Sequence, residues 1–420
     1  MSEQNLQLPS DQDISGRNLG QEELELLKEV IHSGVLNSTK GTKVSQFEKE
    51  FAAFYGSGFC VASSSGTSAV HTALAAVNPD PLSEIITSPI TDMGAIAPIL
   101  YQACVPVFAD VDPFTYNVTA RTIEKRISAR TRGIIVTHLF GNPCDMADIL
   151  ALAAERKIPV IEDCAQAYLA EYQGKRVGTL GHIGVFSMQQ GKHMTTGEGG
   201  ISITENPEYA RRMRLFVNKA WGYGDKNPDH YFVALNSRLT ELQGAVALAQ
   251  LKKLPWVVAQ RQKMAQLLDG LLSRLEGVQI PKPPRNSTHV YWKYCLDVDK
   301  NKAGFDVNEL ATQLKNYGIA SAPRYIQKPA FRCQLFRERV MFGKSPRPLD
   351  ETEAGALFLN DESWWKEEYP GSYQALSRVL VLPWNEFYTE AHVRFIAEKI
   401  WQCIEQLAHS PALPHGQKDR

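Results

Sequence analysis

The sequence lacks an excess of charge of either sign. Its 420 residues carry 45 Lys and Arg against 46 Asp and Glu, a formal net charge of −1. Nucleic-acid-binding chains usually carry a basic excess and solvating, disordered chains a large net charge, so the balance disfavours both classes. Apolar residues at 44% and charged residues at 22% are typical of a globular protein. The length predicts two or three domains, or one large α/β domain with a smaller companion.

Paired cysteines and long apolar runs are also missing. The seven cysteines are widely spread and form no CxxC pair, which disfavours a disulfide framework and a structural zinc site. We expect each cysteine to be a small, buried hydrophobic residue of a protein in a reducing compartment, and we expect no metal site. The polar N-terminal segment has no signal-peptide core, and Asp92 and several prolines interrupt the most apolar stretch, 85–108. These features predict a cytoplasmic protein without a membrane span.

Short β-branched runs alternate with helical stretches between Cys60 and about Ile203. The predicted strands are Ile85–Thr87, Val107–Ala109, Gly133–Thr137 and Pro159–Ile161. Such alternation indicates βαβ units and therefore an α/β fold with a parallel sheet covered by helices.

The second half of the chain changes in character. Residues 236–254 and 257–275 predict two longer helices, and a proline-rich stretch at 280–289 marks a linker or an edge. An alternating strand and two amphipathic helices follow, which indicates a smaller α+β domain. Residues 335–372 show little periodicity and predict a long loop or insertion. The expected division is an arm at 1–20, a large domain at 21–255, a small domain at 256–408 and a disordered tail at 409–420.

Two local features of the large domain suit a ligand site. Residues 63–77, SSSGTSAVHTALAAV, are a small-residue turn that opens into a helix, so its free N–H groups and helix dipole suit a phosphate. An ordinary capped helix N-terminus has the same sequence pattern. Residues 158–168 are an apolar strand that ends in Glu162 and Asp163. Ligands of parallel sheets bind at the carboxyl ends of strands, although a surface-loop carboxylate is an equal alternative.

Two further features concern a lysine and an asparagine. Lys192 lies between the runs GVFS and ISIT in Gly-rich surroundings. Most lysines are solvated, but partial desolvation here would produce an amine that captures a carbonyl group. Asn236 and Arg238 stand at the start of the predicted helix 236–254, where spacing alone favours an N-cap and a surface arginine. Together, the phosphate cup, the acid and the lysine are what pyridoxal phosphate requires for its phosphate, ring nitrogen and aldehyde.

These motifs also carry a family resemblance. In order and spacing, the chain resembles the DegT/StrS family of sugar aminotransferases through SSGT, HLFG, IEDCAQ, GTLGHIGVFSMQQGK and GEGG. The similarity runs from about residue 20 to 275 and more loosely beyond. It implies a fold-type-I pyridoxal-phosphate enzyme with a large, mostly parallel domain and a smaller C-terminal α+β domain. FSMQQGK with EDCAQ is most similar to the branch that aminates keto-cyclitols of the scyllo-inosose type.

The resemblance implies roles for single residues. Lys192 matches the lysine that binds the cofactor covalently, Asp163 the partner of the pyridine nitrogen, and Gln166 the residue near the ring hydroxyl. Asn236 matches a phosphate ligand that the neighbouring subunit supplies, which implies a homodimer with shared active sites. His193 matches no family role. The remaining phosphate ligands implied by the family are Gly66, Thr67 and Ser187.

The chain departs from the family pattern at two places. The aromatic residue that stacks on the pyridine ring is replaced by Asp92, with Met93 next to it, so either Met93 supplies an apolar face or the cofactor is held differently. Arg324 and Tyr325 replace a His-Tyr pair. Arg324 is either a bidentate ligand for the carboxylate of an amino donor or a surface arginine. Further candidates for substrate contact are Gln189 and Arg238.

We therefore predict an aminotransferase that works in two half-reactions. The resemblance implies glutamate or glutamine as donor and a ketone of a sugar or cyclitol as acceptor, in a biosynthetic pathway for an antibiotic, a glycan or another secondary metabolite. The alternatives are a dehydratase of the same fold, an aromatising synthase and a catalytically silent regulator. Relatives that act as dehydratases carry histidine in place of the lysine, so Lys192 disfavours that activity.

Overall fold

The computed structural model describes residues 6–409. The predicted disordered tail lies outside this range except for His409, the last residue of the final helix. The strands are β1 (Phe59–Ser63), β2 (Glu84–Thr87), β3 (Val105–Phe108), β4 (Thr131–Thr137), β5 (Val160–Asp163), β6 (Glu171–Tyr172), β7 (Lys175–Arg176), β8 (Ile183–Ser187), β9 (Gly200–Thr204), β10 (Val278–Gln279), β11 (Ser287–Thr288), β12 (Lys293–Val298), β13 (Ala322–Pro323) and β14 (Val379–Pro383).

The α-helices follow the same chain order. They are α1 (Gln21–Ser33), α2 (Lys43–Tyr55), α3 (Gly66–Val77), α4 (Ala97–Tyr101), α5 (Ala120–Glu124), α6 (Met146–Arg156), α7 (Pro207–Phe216), α8 (Glu241–Leu272), α9 (Lys300–Ala303), α10 (Val307–Asn316), α11 (Gln334–Arg337), α12 (Glu353–Ala356), α13 (Glu362–Glu368), α14 (Pro370–Arg378) and α15 (Glu390–His409). Short 3-10 helices lie at Ile14–Gly16, Met93–Ala95, Leu139–Gly141, Ala330–Arg332, Leu349–Glu351 and Leu357–Leu359.

A seven-stranded sheet forms the centre of the described part of the chain. Its order is β1-β9-β8-β5-β4-β2-β3. The pairs β2–β3, β2–β4, β4–β5 and β5–β8 are parallel, and β9 is antiparallel to both β1 and β8. Ile134, Ile135 and Val136 of β4 are fully buried although they point to alternate faces. Helices therefore cover both faces, as the alternating sequence predicted.

The small sheet has the order β10-β12-β14-β13 and packs against α10, α15 and the second half of α8. The sequence predicted two helices at 236–254 and 257–275, and this was wrong. One continuous helix, α8, runs through Pro255 and across the predicted boundary at 255. Proline removes one helical hydrogen bond, but Leu254 and Val258 are buried beside it and hold both sides of the helix in place.

The segment 335–372 is not the long loop that its weak periodicity predicted. It contains α11 to α13 and the start of α14, and these short helices pack around a cluster of aromatic side chains. The rings of Phe331 and Trp365 stack at 4.2 Å, and those of Phe336 and Phe358 at 4.8 Å. Helices this short show no clear 3.6-residue period, so their apolar face could not be recognised from the sequence.

The cysteines are unpaired, and all except the half-buried Cys333 are buried. Burial raises the pKa of the Cys144 and Cys164 thiols, which keeps them protonated. Among residues 6–409, the structure contains no helix with the length and apolar character needed to cross a bilayer.

Candidate active site

A cavity of about 360 Å³ opens at the carboxyl ends of β5 and β8. The N-terminus of α3 forms one wall, and Trp292, which precedes β12, and Tyr325, which follows β13, close another. The lining residues used below are Gly66, Thr67, Asp92, Asp163, Gln166, Ser187, Gln189, Lys192, Trp292 and Tyr325. Most of the residues predicted from separate motifs therefore lie together in one cavity.

The phosphate cup predicted at residues 63–77 has the expected form. Ser65 is the N-cap of α3, and its hydroxyl accepts a hydrogen bond from the N–H of Ser68 at 3.0 Å. The N–H groups of Gly66 and Thr67 belong to the first helical turn, which has no intrahelical acceptors. A Cβ at position 66 would lie 2.6 Å from Cβ of Ser187, so only glycine lets the Ser187 hydroxyl approach the helix N-terminus.

Asp163 is the last residue of β5, and its carboxylate faces the cavity. One carboxylate oxygen accepts a hydrogen bond from the N–H of Ala165 at 3.1 Å. Burial raises the pKa of Asp163, while Lys192 opposes the shift. A positively charged group in the cavity would lower this pKa and stabilise the carboxylate form.

The neighbouring Glu162 has a different function. Its buried carboxylate accepts hydrogen bonds from the N–H groups of Gly178, Leu180 and Gly181 at 2.6–2.9 Å. His138 accepts from the N–H of Cys144 at Nδ1, so its Nε2–H donates to Glu162 at 3.0 Å. His138, Glu162 and Cys164 offer metal-ligating atoms close together, but the first two already use these atoms in hydrogen bonds.

Lys192 lies in the loop between β8 and β9, and its amine opens on the cavity. Burial lowers the pKa of Lys192 to about 8, against the opposing effects of Asp163 and Asp92. A substantial fraction of this amine is therefore neutral near physiological pH, as a nucleophile or general base requires. The desolvation predicted from its Gly-rich surroundings is present.

Gln166 connects two parts of the cavity wall. Its side-chain oxygen accepts from the N–H of Phe140 at 2.7 Å, and its nitrogen donates to the Tyr325 hydroxyl at 3.1 Å. Because that hydroxyl accepts from Gln166, its own proton is available to a ligand. Gln189 also lines the cavity, and its side-chain oxygen accepts from the N–H of Gly191 at 2.8 Å.

Two predicted residues lie away from the cavity. Asp92, not Met93, lines the wall, because Asp92 caps a 3-10 turn that directs Met93 into the aromatic cluster around Phe331. Of the two alternatives predicted here, an apolar face from Met93 and a differently held cofactor, the absence of Met93 from the cavity wall favours the second. Arg324 has a φ of 60° and donates to the side chain of Asn308 at 2.8 Å. Arg324 does not line the cavity, although the adjacent Tyr325 does, and this favours the alternative of a surface arginine.

The residues before α8 also differ from expectation. Thr240 is the N-cap of α8, so Asn236 does not cap this helix. Asn236 is exposed and is not part of the cavity wall of its own chain. Arg238 likewise lies outside the wall and donates to the side chain of Asn218 at 3.3 Å. The predicted substrate contact by Arg238 stays a prediction, since Arg238 does not line the cavity of its own chain.

Comparisons with known proteins agree on one family. The chain matches the DegT/DnrJ/EryC1/StrS aminotransferase family over residues 17–356. It is 35% identical over 290 residues to GDP-perosamine synthase of Caulobacter vibrioides, covering 68% of this chain and 77% of that protein. It is 33% identical over 318 residues to L-glutamine:2-deoxy-scyllo-inosose aminotransferase of Streptomyces kanamyceticus, covering 72% and 74%. The structure matches an aminotransferase from Psychrobacter cryohalolentis with a TM-score of 0.81 and 28% identity, covering 94% and 99%.

The chain belongs to the DegT/DnrJ/EryC1/StrS aminotransferase family. The predictions of a pyridoxal-phosphate-dependent aminotransferase and of its fold-type-I architecture are thereby confirmed. The cavity fits this cofactor: the cup at α3 suits a phosphate, the buried Asp163 suits a protonated ring nitrogen, and Lys192 suits an aldehyde.

Sequence reasoning missed two residues that contact the lysine loop in this member of the family. Arg17 of the N-terminal arm is buried and donates through Nη1 to the carbonyl oxygen of Lys192 at 2.9 Å. Trp292 brings its indole ring to 4.1 Å from Nζ of Lys192. His193, which matched no family role, is buried and bonds through Nε2 to the carbonyl of Val290 at 3.1 Å, so it supports the core.

The close approach of Gly66 and Ser187 gives a direct test of the phosphate cup. We expect Gly66→Ala to weaken cofactor binding by about tenfold or more, because the new Cβ displaces either Ser187 or the start of α3. The measurement is an absorbance titration of the cofactor-free protein. Gly270→Ala is the control, since it lies in α8 with nothing within 4 Å of the added carbon. Wild-type affinity in the Gly66 variant would contradict the assignment.

Proposed function

We propose that this aminotransferase holds pyridoxal phosphate covalently on Lys192 and transfers an amino group from glutamate or glutamine to a ketone of a sugar or cyclitol. The observation that supports this most strongly is the convergence of Lys192, Asp163 and the N-terminus of α3 on one cavity. We further propose that the enzyme is a homodimer in which each active site uses residues of both chains.

Each of the three elements has a distinct function in the proposal. The N–H groups at Gly66 and Thr67, with the Ser187 hydroxyl, bind the phosphate. Asp163 keeps a proton on the ring nitrogen, and Gln166 lies on the same wall near Tyr325. When bound, the cofactor supplies an electron-withdrawing ring that stabilises negative charge at the substrate carbon after deprotonation.

Lys192 is the proposed general acid and base. In each half-reaction Nζ would take a proton from one carbon and deliver it to another, beginning with Cα of the amino donor and ending with the former ketone carbon of the acceptor. The amine would therefore leave each half-reaction in the protonation state in which it entered. Its lowered pKa, about 8, lets the amine both accept and release this proton near neutral pH. No other lysine or histidine side chain is among the described residues that line the cavity.

The names of the relatives support the range of acceptors. One relative is a GDP-perosamine synthase and another an L-glutamine:2-deoxy-scyllo-inosose aminotransferase. For this chain we therefore propose a polyhydroxylated ketone, free or nucleotide-linked, with an α-amino acid as donor. Amide and hydroxyl groups from Gln189 and Tyr325 are available on the cavity wall to bind its hydroxyl groups.

The exposed segment before α8 supports the homodimer. Val233 is 96% exposed and Leu235 72%, and Tyr223 and Tyr231 are also exposed. A group of large apolar side chains on one segment is typical of a protein interface. Asn236 follows directly and makes no contact with the cavity of its own chain, which agrees with a phosphate ligand for the neighbouring subunit.

Replacing Asp163 tests the ring-nitrogen contact. We expect Asp163→Asn to keep its melting temperature but to lose about 10²-fold in turnover, because an amide does not stabilise the ring proton as a carboxylate does. Asp92→Asn is the control, since it removes one negative charge from the same cavity at an exposed position, and its loss should stay below tenfold. If Asp163→Asn retained half of wild-type turnover, another acid would have to serve the ring.

Subunit exchange tests the shared site. Lys192→Ala and Asn236→Trp are each expected to be inactive, but a heterodimer of the two contains one intact site. Random exchange places half of all chains in heterodimers, so about a quarter of wild-type activity should return. A mixture of Lys192→Ala with Asp163→Asn is the control, because both defects lie in the set of residues that one chain supplies. If activity stays at the average of the parents after confirmed exchange, the shared site is wrong.

A further inference from the structure

Trp292 is a large aromatic side chain that lies beside Lys192 in the cavity. It directly precedes β12, at the end of the stretch that links the two sheets, and its indole lines the cavity. Its backbone N–H donates to the carbonyl of Phe140 at 2.8 Å. Its indole Nε1–H donates to the carbonyl of Gly191 at 2.7 Å. Main chain and ring are therefore both fixed, and the ring is bonded to the residue that precedes Lys192.

The amine of Lys192 lies over this fixed ring. Nζ is 4.1 Å from the ring centroid, within the range in which a cation interacts with the electron-rich face of an indole. Among the described residues, the structure gives Lys192 no carboxylate within ion-pair distance. The charged groups that influence its amine are Asp163, Asp92, Lys293 and Asp11. Of these, Lys293 is paired with Asp11 at 3.2 Å.

We propose that the indole face of Trp292 is the resting position of the Lys192 side chain whenever its amine is not bonded to the cofactor. Trp292 is then a positioning residue for the reaction. This inference rests on the proposed function only in taking Lys192 as the lysine that binds the cofactor. The contact itself is a property of the polypeptide and can be measured without cofactor.

The position has a consequence for catalysis. The lysine side chain is long and its bonds rotate freely. Without a fixed contact, the free amine of Lys192 would move away from the reacting carbon. An attractive aromatic face at a fixed position keeps the protonated amine within the cavity. Because Trp292 directly precedes β12 and packs in the hydrophobic cluster of the central sheet, the position of the lysine also depends on how this segment meets that sheet.

The test measures the protonation of Lys192 in the cofactor-free protein. Wild type, Trp292→Phe and Trp292→Leu are acetylated over a range of pH, and the modified peptide is quantified by mass spectrometry against the exposed Lys302 as internal reference. The indole face stabilises the ammonium form, so its loss lowers the pKa of the amine. We expect the acetylation midpoint of Lys192 to fall by about half to one pH unit with leucine.

Phenylalanine retains a weaker aromatic face at similar bulk, so a smaller fall, about 0.2–0.5 pH unit, is expected there. This variant decides the outcome if the leucine variant fails to melt cooperatively. Trp256→Leu is the matched control, because this tryptophan is partly exposed and contacts Phe387 away from the cavity. The proposal is overturned if the midpoint stays unchanged or rises in the Trp292 variants, or if the control moves it equally.

This outcome is distinguishable from failure of the proposed function. Loss of the cofactor linkage to Lys192 would appear in the loaded enzyme, whereas the acetylation midpoint is determined without cofactor. If the cofactor is linked to Lys192 normally but the acetylation midpoint of Lys192 is unchanged in the Trp292 variants, only the proposed positioning by Trp292 is wrong.

Discussion

The active site depends on the buried carboxylate of Glu162. This group accepts hydrogen bonds from three backbone N–H groups of the turn before β8 and from the imidazole of His138 after β4. These bonds join the carboxyl ends of β4 and β5 to the turn that leads into the neighbouring parallel strand β8. Because successive side chains of a strand point to opposite faces, the same contacts direct Asp163 into the cavity. Glu162, which has no part in the proposed chemistry, thus positions Asp163, which faces the cavity.

The lysine loop is held from outside the central sheet. Arg17 of the N-terminal arm bonds to the carbonyl of Lys192, and Trp292 of the small domain bonds to that of Gly191. The arm is itself attached to the small domain, since Asn385 donates to the carbonyl of Gly16 at 3.0 Å. The central sheet and α3 therefore carry Asp163 and the helix N-terminus at Gly66, while the arm and the residue before β12 contact the loop that carries Lys192.

Local sequence motifs predicted the groups that belong to one turn or one strand end, such as Asp163, Lys192 and the cup at Gly66. Contacts between distant segments were not predictable, because Arg17 and Trp292 meet the lysine loop from 175 and 101 residues away. In addition, a tryptophan in an alternating strand is predicted to be an ordinary residue of the hydrophobic core. The direction of side chains in irregular turns was also unpredictable, which is why the alternatives for Met93 and Arg324 stayed open in the sequence, whereas in the structure their neighbours Asp92 and Tyr325 line the cavity.

The proposed function depends on a covalent bond between Lys192 and the cofactor, and reduction followed by peptide mapping detects that bond. The enzyme loaded with pyridoxal phosphate is treated with borohydride, digested, and its peptides are analysed for the mass of the reduced cofactor. We predict one modified peptide, with the modification on Lys192. Stoichiometric modification of a different lysine, or complete release of the cofactor after reduction, would contradict the account.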